Sequence, residues 1–170
     1  MTRLRPAIAP VLLLLLLAAP AATSAPPASP TKAPADFPLF DSESDSEMML
    51  QSYLDVCRKS NRRCIAVFGT NGCDPCRVVA DGIYEHRFYI ELLKQFVPFF
   101  VAAEPGTPGG EIPARYGIDP KAPYPGVVIF DPKGTVTEVL RKGEMAEIAK
   151  KGKEAVQLWL IDRFEKTKPD

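Results

Sequence analysis

The motif Cys73-Asp74-Pro75-Cys76 lies between a segment typical of a buried strand, residues 65–68, and a segment typical of a helix that begins at Asp74. Two cysteines at this spacing can cycle between a dithiol and a disulfide, although structural bridges and zinc sites share the spacing. The positive end of a helix stabilises a thiolate, and the thiolate is the species that attacks disulfides. We therefore predict a redox pair in which Cys73 attacks and Cys76 resolves.

Residues 1–25 have the layout of a secretory signal peptide. Arg3 and Arg5 precede an apolar core with six consecutive leucines, and small residues follow as far as Ala25. This apolar core is shorter than the roughly 20 residues that a membrane-spanning helix needs. We expect cleavage near Ser24 or Ala25 and export to the periplasm, with a retained leader that tethers the chain to the membrane as the alternative.

Residues 26–40 contain five prolines and are predicted to form an extended linker. Residues 41–170 then form one domain, which is long enough to bury its own core. The chain has 21 basic and 21 acidic residues, and removal of Arg3 and Arg5 with the leader leaves two more acidic than basic residues. This balance argues against nucleic acid as a partner.

The apolar spacing predicts an α/β domain with the order β-α-β followed by β-β-α. We expect helices over 47–58, 74–84 and 89–95, with the break between the last two near Gly82 or His86. Strands are expected over 64–68 and 96–103, the latter with an irregularity at Pro98. A helical turn is predicted over 112–116, and a hairpin over 126–130 and 135–141. The last helix has its apolar face at Ala155, Val156, Trp159, Leu160 and Phe164.

Cys57 and Cys64 form a second cysteine pair, which flanks a basic turn between the first helix and the first strand. In an exported domain, a structural disulfide between them is the reading we favour. A second redox pair that exchanges electrons with Cys73 and Cys76 is the second possibility. A zinc site built from all four thiolates is the third, but the spacing of Cys57 and Cys64 suits it poorly. We expect no metal and no cofactor.

Four stretches together resemble the thioredoxin family: the Cys73-x-x-Cys76 motif, the strand at 96–103, the run at 114–118, and Tyr124-Pro125 before the strand at 127–130. The resemblance implies a thioredoxin fold, a central mixed β-sheet flanked by helices. It also implies that Pro125 follows a cis peptide bond and faces the disulfide. Tyr124 and Pro125 would then hold an extended substrate segment, and the activity would be thiol–disulfide exchange.

Three positions depart from the family pattern. Gly72 replaces the usual aromatic residue, Val67 replaces a buried acid, and Asp74 places a negative charge beside Cys73. An acidic neighbour opposes formation of a second negative charge on Cys73. We expect an exported oxidoreductase that mainly reduces disulfides in other exported proteins and receives electrons from a membrane partner. The alternative is a thioredoxin-fold binding or assembly factor whose disulfides are structural.

Overall fold

The computed structural model describes residues 38–166, so the predicted signal peptide and most of the predicted linker lie outside the described residues. Within this range, no helix is both long and apolar enough to cross a bilayer. The elements in chain order are α1 Ser46–Ser60, β1 Arg63–Gly69, α2 Asp74–Ile83, α3 His86–Leu92, β2 Phe96–Ala102, α4 Ile112–Arg115, β3 Gly126–Phe130, β4 Val136–Leu140, α5 Glu144–Ala149 and α6 Lys153–Glu165.

The four strands form one mixed sheet in the order β2-β1-β3-β4. Strand β1 pairs in parallel with β2 and antiparallel with β3, and β3 pairs antiparallel with β4. Every residue of β1 after Arg63 is buried. A strand covered on both faces consists of apolar residues without polar alternation, as the β1 sequence does.

Helices cover both faces of the sheet. Successive residues of a strand point to opposite faces, and β1 contributes to two separate clusters of buried side chains. Ile65 and Val67 belong to the cluster that includes α2, α5 and α6. Cys64, Ala66 and Phe68 belong to the cluster that includes α1. The predicted α/β class, with a central mixed sheet between helices, is confirmed.

The end of α6 packs near the beginning of β1 and β2. The ring of Phe164 lies 5.3 Å from that of Phe96, and the guanidinium of Arg63 donates a hydrogen bond to the carbonyl of Arg163 at 2.8 Å. Arg63 and Phe96 are the first residues of their strands. The carboxyl ends of β1 and β2, at Gly69 and Ala102, lie at the opposite end of the sheet.

The structure differs from the predicted elements in two helices. The helix predicted to resume at Tyr89 begins at His86, because the carboxylate of Glu85 caps it by accepting a hydrogen bond from Phe88 N–H at 3.0 Å. Helix α5 has six residues and was not predicted. Its glycine N-cap and short length give no strong periodic signal.

Two further expectations differ from the structure. Pro98 pairs with Ile65 in an unshifted register, so the predicted irregularity is wrong. The position tolerates proline because β2 is an edge strand. Phe40, which the sequence-based boundary placed in the linker, is completely buried. The packed domain therefore includes residues before position 41.

Candidate active site

Cys73 and Cys76 lie where the loop after β1 turns into α2. Cys73 is the N-cap residue of α2, and its Sγ accepts a hydrogen bond from the backbone N–H of Cys76 at 3.2 Å. Pro75 stands in the first turn of α2, where its missing N–H has no helical partner to lose. The two sulfurs form a disulfide with the Cα atoms 5.3 Å apart.

The two sulfurs of this pair differ in their access to solvent. Cys73 is partly exposed, whereas Cys76 has no exposed surface. Cys76 belongs to the same apolar cluster as Val67, the residue found where a buried acid was expected by resemblance. An exchange partner from solution can therefore reach only Cys73 in this conformation. The arrangement suits an attacking sulfur outside and a resolving sulfur inside.

The loop before Cys73 is held by a segment far away in the sequence. The side-chain amide of Asn71 bonds both backbone groups of Phe40: Oδ1 accepts from Phe40 N–H at 2.9 Å, and Nδ2 donates to the Phe40 carbonyl at 2.8 Å. Cys73 N–H donates to the carbonyl of Thr70 at 3.2 Å. These bonds fix the turn that presents Cys73.

Gly69, the last residue of β1, lies directly beside the disulfide. A Cβ at this position would lie 2.6 Å from Cys76 Sγ and 2.7 Å from Phe40 Cζ. Both distances are far below van der Waals contact, so no side chain fits. Glycine here allows the sulfur and the aromatic ring to close over the backbone.

The peptide bond between Tyr124 and Pro125 is cis. The antiparallel register pairs Phe68 with Gly126, and the next step along both chains brings Pro125 level with Gly69. Because Gly69 lies against Cys76, Pro125 is at the disulfide end of the sheet. This location brings the two predicted regions, the cysteine motif and the Tyr124-Pro125 pair, to one place.

Tyr124 is held in place at the same end of the sheet by a hydrogen bond. Its hydroxyl donates a hydrogen bond to the carbonyl of Ala103 at 3.1 Å, and Ala103 N–H donates to the carbonyl of Gly69 at 2.8 Å. Burial, with a smaller contribution from the charge of Glu104, raises the pKa of Tyr124 above its usual value. The hydroxyl therefore remains protonated, and remains a donor, at neutral pH.

Cys57 and Cys64 form the second disulfide, with Cα atoms 6.0 Å apart. Both residues have no exposed surface, and both belong to the cluster on the α1 face of the sheet. Cys76 belongs to the cluster on the other face. The sheet thus separates the two disulfides. Residues 38–166 contain no group of three or more side chains that could hold a metal ion.

Sequence reasoning missed three residues that shape the site: Phe40, Gly69 and Asn71. Phe40 lay within a segment assigned to the linker, and Gly69 and Asn71 lay within an ordinary Gly-rich loop. The one available signal was the pair of apolar residues Leu39 and Phe40 after a proline-rich stretch. The contacts of Phe40 with the loop are long-range, so no local pattern reveals them.

Removal of the negative charge at Asp74 is expected to make reduced Cys73 more reactive. Asp74 is exposed in the first turn of α2, and its charge opposes a thiolate on the adjacent residue. Asp74→Asn should raise the alkylation rate of reduced Cys73 at neutral pH about twofold to fivefold, the effect of one partly screened charge. Asp81→Asn in the same helix is the control and should leave the rate unchanged. Equal rates for Asp74→Asn and the parent would contradict this account.

No family model matches the chain, and no curated protein matches it in sequence. Among solved structures, the chain is similar to a disulphide isomerase from Xylella fastidiosa Temecula1, with a TM-score of 0.65 and 21% sequence identity. The match covers 73% of this chain and 95% of that protein. Together with the mixed sheet and its two helical layers, it shows that the chain has a thioredoxin fold.

Proposed function

We propose that the chain is an exported thiol–disulfide oxidoreductase that exchanges disulfides with other exported proteins through Cys73 and Cys76. The observation that carries this proposal is the partly exposed Cys73 at the start of α2, joined to the buried Cys76. Helix starts favour thiolates, which makes this the reactive position. The similarity to a disulphide isomerase supports the same chemistry.

The reducing reaction transfers two electrons from the protein to its substrate. The thiolate of reduced Cys73 attacks one sulfur of a substrate disulfide, and the other substrate sulfur leaves as a thiolate that takes up a proton. Cys76 then loses its proton and attacks Cys73, which forms the Cys73–Cys76 disulfide. The substrate sulfur that was bonded to Cys73 is released as a thiolate and is protonated in turn.

Tyr124 and Pro125 are proposed to hold the substrate segment. They immediately precede β3 at the disulfide end of the sheet, and their backbone lies level with the end of β1. An extended peptide placed there can add to the existing backbone pairing in the manner of an additional strand. The fixed Tyr124 hydroxyl keeps this segment in place by its bond to Ala103.

We also propose roles for the second disulfide, for an electron donor and for the first 25 residues. Cys57–Cys64 acts as a structural disulfide, since both sulfurs are buried and on the far face of the sheet. A reductase outside the cytoplasm must itself be reduced after each turnover, so a membrane protein that carries electrons is the proposed partner. The basic start and apolar core within residues 1–25, which have the layout of a signal peptide, support the proposed export to the periplasm.

A trapping experiment tests the proposal. Cys76→Ser should accumulate a stable mixed disulfide between Cys73 and a peptide that contains a disulfide, because no sulfur remains to resolve it. Mass spectrometry of the non-reduced product identifies the adduct, and the parent chain should instead reduce the peptide with turnover when a chemical dithiol is supplied. Absence of both the adduct and the turnover would favour the alternative, a binding or assembly factor with structural disulfides.

A further inference from the structure

The segment before α1 is joined to the cysteine loop by two hydrogen bonds between the side chain of Asn71 and the backbone of Phe40. Asn71 satisfies both the N–H and the carbonyl of Phe40, at 2.9 and 2.8 Å. This two-bond pattern is the one that a neighbouring strand residue would make. Asn71, which is two residues before Cys73, therefore fixes the position of Phe40 relative to the loop.

The ring of Phe40 occupies the space beside the resolving sulfur. Phe40 is fully buried, and its Cζ and the Sγ of Cys76 both approach the same face of Gly69. The ring also contacts Phe100, with an edge-on geometry and 5.7 Å between centroids. Phe40 is thus held by Asn71 and by Phe100, and it lies in the same apolar cluster as Cys76.

We propose that Phe40 and Asn71 are positioning residues for the disulfide: together they keep Cys76 closed to outside reactants, so that Cys73 alone exchanges with them. The importance of this selection for turnover rests on the proposed function. The closure itself is a property of the folded chain and can be measured without turnover.

Closure of Cys76 decides which of the two sulfurs an external thiolate attacks, since the Cys73–Cys76 bond breaks in either case. An external thiolate that attacks the disulfide at Cys73 forms a bond to Cys73 Sγ, and the electron pair of the broken S–S bond goes to Cys76, which is then protonated. Attack at Cys76 would instead place the external group on the buried sulfur. The adduct would then have to fit at a sulfur with no exposed surface, beside Gly69 and the ring of Phe40.

Alkylation of the reduced chain with iodoacetamide, followed by mass spectrometry of each cysteine, tests the inference. In the parent, Cys73 should be labelled and Cys76 protected. Phe40→Ala should raise the labelling rate of Cys76 at least about tenfold, since it removes the group that limits local opening. Asn71→Ala should raise it about threefold by releasing the two backbone bonds, and Phe40→Leu should restore most of the protection.

Phe99→Ala is the matched control, because Phe99 is also almost completely buried but belongs to the cluster on the opposite face of the sheet. Its loss of stability should be similar, yet Cys76 should stay protected in the folded protein. An equal rise in Cys76 labelling for Phe99→Ala and Phe40→Ala would overturn the inference, as would unchanged labelling in Asn71→Ala. The expected labelling pattern in a parent chain that shows no disulfide exchange would support the inference and contradict the proposed function.

Discussion

Cys73→Ser is expected to abolish disulfide exchange, with a fall in the turnover rate of at least about a thousandfold, because a serine hydroxyl is not ionised near neutral pH. Cys76 cannot substitute for it, since its sulfur has no exposed surface. The measurement is the rate at which a peptide disulfide is reduced in the presence of a chemical dithiol, corrected for the rate of the dithiol alone.

The control for this prediction is Cys76→Ser, which keeps the attacking sulfur. Without added dithiol, which would itself cleave the adduct, Cys76→Ser should form one equivalent of mixed disulfide and then stop, whereas Cys73→Ser should form none. Circular dichroism should show both variants folded, since each removes one short-range cross-link of three residues' separation. A Cys73→Ser variant with the parent rate would show that another group attacks, and the assignment of the site would be wrong.

Removal of the buried Cys57–Cys64 disulfide is expected to lower the stability of the domain clearly. The double variant Cys57→Ala/Cys64→Ala should lower the free energy of unfolding by about 2–3 kcal/mol, from the loop-closure entropy that the cross-link removes from the unfolded chain. The cross-link spans seven positions and ties α1 to the central strand β1. Denaturant unfolding with Cys73–Cys76 kept oxidised measures the difference.

This variant also separates a structural role from a redox relay. Because the sheet lies between the two pairs, the reduction potential of Cys73–Cys76 and the rate of exchange with a peptide should remain at their parent values in the folded double variant. A clear loss of exchange without unfolding would instead support electron transfer between the pairs. Unchanged stability would contradict the structural role.

Most of the secondary structure could be predicted because its signals are local. The periodic apolar residues of α1 and the uninterrupted apolar runs of β1 and β3 each identify their element without reference to the rest of the chain. The exact beginning of α3 depended on a single capping carboxylate, that of Glu85. Helix α5 was missed because its six residues are too few for a periodic pattern.

Only those residues of the site that belong to short sequence motifs could be predicted. Cys73, Cys76 and the Tyr124-Pro125 pair are visible as local signatures, and the fold brings them to one end of the sheet. The contribution of Phe40 depends on contacts with residues about thirty positions away. Such contacts are properties of the tertiary structure, and one sequence carries no pattern for them.

The burial of Phe40 beside the disulfide determines where fusions and labels can be placed. Pro38, the first described residue, is two positions from Phe40, so a fluorophore or affinity tag joined there projects at the reactive end of the molecule. The end of α6 packs at the beginning of β1, roughly 20 Å away along that strand. A reporter joined at Lys166 is therefore expected to leave incoming polypeptides unobstructed, whereas one joined at Pro38 is expected to compete with them for space.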